Sequence, residues 1–374
     1  MKSMMHTTFR KLFLLALACL ILTAAQTAYA AQADWPMFRA NPLRTGTPAA
    51  QANFTSNGQI GWTSYFDDMI QSSPAVANNV AYFGSNDGML YALNMNNGEV
   101  IWQFATGNWV ASSPAVLDGK VYFGSYDSKM YCVDAGTGQM IWQFTTHNGI
   151  LSSPAVANNM VYFGSNDGYV YAVDAKTGWQ KWSYKTERAV AGSPVVAGGV
   201  VYIGNHEGKM FALNANTGKL VWRAVVGGVI TAAPAVADGH VYFGSQDGKL
   251  YCANIKNQAV IWNYDAGSQI ESSPLVTDGK VYFGNIGGQV TALDAKTGNK
   301  AWVYEAGQSV FSSPALNAGR IVVGSNADEL LYLDAATGKL VNKTLLEGDI
   351  TCAPAIAPNM IIVTGLNGRV YAIR

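Results

Sequence analysis

Few residue groupings in this 374-residue sequence have the types and spacing that chemistry requires. Past residue 30, His147, His206 and His240 stand far apart and do not form a zinc-ligand pattern. Cys132, Cys252 and Cys352 are an odd and sparse set, which does not make a disulfide framework. Asn86-Asp87-Gly88 and Asn166-Asp167-Gly168 resemble metal loops but lack alternating carboxylates, so they read as hairpin turns. There is no Gly-x-Ser-x-Gly elbow. The Phe-Gly-Ser tripeptides at 83–85, 123–125 and 163–165 precede no helical pattern, which excludes a phosphate loop. What remains as candidate chemistry is recognition by side chains at the tips of loops, which depends on the elements that hold those loops.

Those elements repeat. Pro74, Pro114, Pro154, Pro194, Pro234, Pro274, Pro314 and Pro354 are spaced by forty. Trp62, Trp102, Trp142, Trp182, Trp222, Trp262 and Trp302 keep the same spacing and are expected to dock one unit on the next. The unit Ser72–Ala111 reads as four short strands: A through Pro74 to Ala77, B at 80–84, C at 89–93 and D at 100–104. Asn78-Asn79, Asp118-Gly119, Asp238-Gly239 and Asp278-Gly279 suit the positive φ of tight A–B turns. Apolar spacing of two, interrupted every few residues by turn signals, argues against helical repeats.

Four antiparallel strands repeated radially make a β-propeller, and its ring must close because open edges invite aggregation. Full units cover 72–351, seven in all. Residues 352–374 supply strands A to C of an eighth, and about 55–71, with Asn57-Gly58 and Trp62 in register, supply its outer strand. The expectation is an all-β, eight-bladed propeller occupying 31–374 as one domain. The seventh unit departs from the pattern, with Asn342 in place of the tryptophan and Asn326-Ala327-Asp328-Glu329 in place of the usual turn, which weakens one docking contact. Cys132 and Cys252 stand where other units have alanine, so they read as small buried residues.

The residues before each proline vary while the frame repeats. This is the pattern of a binding face built from the D–A and B–C loops. Aromatic and arginine side chains dominate binding hot spots. Trp109, Arg188 and Phe311 are therefore the leading partner-binding candidates, with His147, Glu187, Gln269 and Asp349 beside them. The competing reading is that these are solvated loop tips.

The stretches ALNANTGKLVW (212–222), VDAKTGWQKW (173–182), VDAGTGQMIW (133–142) and ALDAKTGNKAW (292–302) resemble the docking motif of the pyrroloquinoline-quinone-like propeller family. The opening DWPMFRANPLRTGTP (34–48) is similar to the lead-in of such proteins. The resemblance covers almost all of the chain after residue 30. WD repeats do not fit, because the units lack their Gly-His and Trp-Asp pairs. The family implies two functions. One is a BamB-like, non-catalytic scaffold that binds a protein partner in the cell envelope, without a cofactor. The alternative is a quinoprotein dehydrogenase using pyrroloquinoline quinone and calcium, for which Glu271, Asp349 and Asp67 would be the acidic residues near the ion. The adjacent cysteine pair of the alcohol-oxidising branch is absent, and forty-residue units leave little material for an enclosed pocket.

Residues 1–30 read as an export signal: Lys2, Arg10 and Lys11 lead an apolar run, and Ala28-Tyr29-Ala30 is a cleavage pattern. Cleavage near Ala30 is expected in preference to lipidation at Cys19, giving a periplasmic or secreted chain with no transmembrane segment. It leaves 21 basic against 24 acidic residues. With no basic face, nucleic-acid binding is excluded, and a monomer is expected.

Overall fold

The computed structural model describes residues 35–41, 45–47, 54–256 and 259–374; the stretch 1–30 expected to be an export signal, with Cys19, lies outside them. The chain from Asp34 onward forms eight four-stranded antiparallel sheets arranged as the blades of a ring. In the first blade the strands are Ala75–Ala77, Val80–Gly84, Met89–Asn94 and Val100–Ala105, A to D outward from the axis. The eighth blade takes Ala355–Ile356, Ile361–Thr364 and Arg369–Ile373 from the end of the chain and Ile60–Tyr65 from its start. Thr63 pairs with Tyr371 and Tyr65 with Arg369, so the two ends share one sheet and close the ring.

Turn chemistry sets each hairpin. Asn78 and Asn79 both have positive φ (52° and 63°), as do Asp118 and Gly119 (49° and 71°), the geometry of a two-residue turn whose twist matches its strands. Strand B ends on glycine for a packing reason. A Cβ on Gly84 would lie 2.2 Å from Val110 of the D–A loop, and one on Gly124 would lie 2.3 Å from Ile150.

The core sits between blades rather than inside any one of them. One apolar cluster joins Tyr122, Met130 and Trp142 of the second blade to Val161, Phe163 and Tyr171 of the third. At its outer margin a clamp recurs. Trp102 Nε1 donates to the Ala135 carbonyl of the next blade (3.0 Å), and the Tyr82 hydroxyl donates to the same oxygen (3.2 Å). Trp142 and Tyr122 repeat this on Ala175, Trp182 and Tyr162 on Ala215, Trp262 and Tyr242 on Ala295, and Trp302 and Tyr282 on Ala335. Trp62 reaches the Met95 carbonyl at 2.7 Å and docks the closing strand on the first blade.

The seventh blade lacks both clamp residues, with Val322 at the tyrosine position and Asn342 at the tryptophan position. Between them, paired with each, lies Tyr332 where other blades carry alanine or cysteine. Its ring is fully buried, and its hydroxyl meets Ser56 Oγ (3.3 Å) and Thr344 Oγ1 (3.5 Å). Asn342 Nδ2 donates to the Asn57 carbonyl. The expected weak seam is thus refilled by one larger side chain on the middle strand.

Toward the axis a second set of bonds runs from blade to blade. The amides of Ser73, Ser113 and Ser153 donate to the hydroxyls of Ser113, Ser153 and Ser193. Ala233 and Ser273 donate to Ser273 and Ser313, and Ala353 donates to Ser73 across the closure. Ser193 and Ser313 would have Ala233 and Ala353 as acceptors, which carry no hydroxyl. The segment from Trp35 then ties the inner strands together: Trp35 exchanges both backbone bonds with Val76, Pro36 O accepts from Val116, and Gly46 O accepts from Leu316.

Gly138 tests the clamp. It has φ 70°, and a Cβ there would lie 2.7 Å from the Trp102 indole, whereas Gly119 has φ 71° and open space. Gly119→Ala should cost about 1–2 kcal/mol from left-handed backbone strain alone. Gly138→Ala should cost clearly more in urea unfolding, and equal costs would remove the indole contact from the account.

Candidate functional site

The face bearing the D–A and B–C loops is stitched by backbone bonds between neighbouring blades. The amide of Asn86 donates to Met69 O (2.9 Å), Tyr126 to Trp109 O (2.8 Å), Asn166 to Gly149 O (3.0 Å) and His206 to Ala189 O (3.0 Å). The aspartates of the Asn-Asp-Gly-type turns are committed to this frame. Asp127 Oδ2 accepts from the Tyr131 hydroxyl (2.6 Å) and from the Gly107 amide of the preceding blade (2.9 Å), while Oδ1 accepts from the Lys129 amide. Burial, then the bond to Asp127, pushes the Tyr131 phenol well above its ordinary range, so it stays a neutral donor. Asp167 and Asp247 do the same for Tyr171 and Tyr251.

The loop-tip candidates spread around this face rather than converging. Trp109 is 46% exposed, and its ring stands edge-on to Tyr126 at 5.6 Å. His147, Glu187, Arg188 and Gln269 are exposed at their loop tips, with Glu187 at φ 75° and the His147 amide donated to Asp167. Asp349 is half-buried and accepts from Asn326 Nδ2 (3.2 Å). Phe311 alone of the partner-binding candidates lines the central depression.

That depression, about 180 Å³, opens among the D–A loops at the axis. Its mouth includes Gln71, Thr231, Glu271, Phe311 and Thr351; the serine ring forms its wall, and Phe38 contributes from the N-terminal segment. Glu271 Oε1 accepts from Gln246 Nε2 at 3.0 Å. The Thr231 hydroxyl is buried without a hydrogen-bond partner. Of the three acidic residues of the quinoprotein alternative, Glu271 lines the depression, while Asp349 and the exposed Asp67 do not. Among the described residues, no three histidine, cysteine, aspartate or glutamate side chains gather as a metal-ion site.

Three contributors escaped the sequence reading. Phe38 belongs to a lead-in outside the repeat; the signal was a run of large apolar residues, Trp35 and Met37 among them, with no place in the forty-residue register. Gln246 and Thr231 lie at positions that vary from unit to unit, and no residue-type rule separates them from their neighbours.

The sequence matches the family profile described as "Outer membrane protein assembly factor BamB" in four overlapping stretches, 49–131, 112–229, 212–317 and 307–374. The chain belongs to that family. No curated protein sequence matches the chain. Among solved structures, BamB from Moraxella catarrhalis is 21% identical with TM-score 0.72, over 84% of this chain and 97% of that one. A europium-containing methanol dehydrogenase is 13% identical with TM-score 0.81, over 93% and 99%. The quinohemoprotein alcohol dehydrogenase of Comamonas testosteroni is 15% identical with TM-score 0.79, over 91% and 80%. At these identities the structural likeness is one of fold, and the BamB-type fold serves more than one function. No helix among the described residues is long and apolar enough to cross a membrane.

The three described cysteines are buried, and burial raises the thiols of Cys132 and Cys252 to about 12 and that of Cys352 to about 11. Because the thiolate is the reactive form, an aromatic disulfide reagent at pH 8 should label none of these three in the native chain and all three in denaturant. Labelling in the native state would show a cysteine accessible to chemistry.

Proposed function

We propose that the chain is a non-catalytic scaffold of the cell envelope, periplasmic or secreted after cleavage of its export signal, which acts as a monomer and binds a protein partner through its D–A and B–C loop face. The observation that carries this reading is Trp109, a large aromatic ring presented to solvent yet braced by Tyr126 on loops locked to each other by backbone bonds. A rigid, exposed aromatic anchor loses little conformational freedom on binding, which is how a few residues come to dominate an interface. Arg188 and His147 lie in the following loops and extend the same surface. Membership of the BamB-described family supports the reading. Trp109→Ala should lower capture of the partner from envelope extract by about tenfold or more while leaving the melting temperature unchanged. A matching loss of thermal stability would assign the ring to the fold instead.

The rival, a quinone- and calcium-dependent oxidoreductase, draws support from the fold shared with the two dehydrogenases. Pyrroloquinoline quinone and calcium added to the purified chain are expected to give no dye reduction with alcohols or sugars. Saturable binding with turnover would overturn the scaffold reading.

A further inference from the structure

We propose that the central depression is a receptor for a lysine side chain, the anchor by which the protein partner is held; the inference rests on the scaffold reading and names the chemistry of its recognition. Thr231, Glu271 and Phe311 end three successive repeat units, forty residues apart, so the ring sets a hydroxyl, a carboxylate and an aromatic ring side by side at one mouth. The other equivalent positions that line the depression, Gln71, Ala111 and Thr351, carry no charge.

Glu271 makes no salt bridge to a basic side chain among the described residues, and its one described bond is the one that Gln246 donates to Oε1. Arg39, a buried cation of the N-terminal segment, donates to the Ser273 carbonyl and does not line the depression. The Thr231 hydroxyl is a second, independent sign of an absent donor: it is shielded from solvent with no hydrogen-bond partner, a state that normally costs free energy unless a ligand or water completes it.

An ammonium suits this set better than a guanidinium. Arginine recognises a carboxylate through two parallel bonds, and here Gln246 already competes for Oε1 of that carboxylate. A lysine ammonium is a compact charge with three donors that can divide among Glu271 Oε2, Thr231 Oγ1 and a third acceptor of the wall, while its apolar stem lies along Phe311. Aromatic rings also attract cations through their faces. A depression of about 180 Å³ has room for one side chain entering end-on.

The test uses Nα-acetyl-lysine methylamide as a probe in ligand-observed NMR titration of the purified mature chain. The neutral norleucine and the arginine analogues serve as comparisons. The account expects saturable lysine binding at least tenfold tighter than either comparison, lost in Glu271→Gln and weakened severalfold in Phe311→Leu, with both variants melting as the parent does. It also expects the affinity to fall with added salt. No lysine preference, or a preference unchanged in Glu271→Gln or in Thr231→Val, would overturn it. Because the probe is independent of any partner, its failure would leave capture through Trp109 standing. Quinone-dependent turnover would remove the scaffold reading while leaving the probe result to be judged by itself.

Discussion

Five of the eight blades are held to the next through one carbonyl that receives two donors, an indole nitrogen and a tyrosine hydroxyl from the preceding sheet. The arrangement solves a problem that a four-stranded sheet cannot solve alone. A single blade has no core of its own; its apolar faces are buried only when another blade lies against them, as the shared cluster of the second and third blades shows. Stability is then the sum of seams, and every seam must be present, including the one between the two ends of the chain.

The clamp dictates much of the repeat. The glycine after the threonine is required twice, once by its backbone conformation and once because the indole of the preceding blade leaves no room for a Cβ. The carbonyl that accepts both donors lies in the same C–D turn. Where the clamp residues are missing, in the seventh blade, the space is filled from the middle strand by Tyr332, so the constraint is on the filled volume between blades and not on tryptophan itself. Toward the axis the serine hydroxyls carry a similar logic in hydrogen bonds. These serines act as spacers between inner strands, which fits their recurrence without any histidine or carboxylate partner.

Most of this was legible in the sequence because it repeats. The register of prolines and tryptophans gave the number of blades, and the Asn-Gly at 57–58 and Trp62 gave the closing strand. The turns followed from residues that tolerate positive φ, such as Asn78-Asn79. The compensation at Tyr332 was not legible, since one substitution reads as a loss until its neighbours in space are known. The candidate site was legible only as a face. Loop tips that vary from unit to unit carry no pattern, so Trp109 and Arg188 could be nominated by residue type, but the neighbourhood of Glu271, Thr231 and Gln246 depends on the closed ring bringing together residues far apart in sequence. Phe38 shows the same limit: nothing in a lead-in outside the repeat states that it will reach the axis.

A frame of this kind suits recognition, because loops locked by backbone bonds present side chains without much loss of freedom on binding. All of it depends on the ring being closed by its own ends. Hydrogen exchange of the folded chain tests that most directly. The account predicts that the amides of Ile60–Tyr65 and Arg369–Ile373 exchange as slowly as those of Met89–Asn94 and Val100–Ala105, and that the two terminal strands lose protection together under increasing denaturant. Rapid exchange at 60–65 while the other blades stay protected would contradict it.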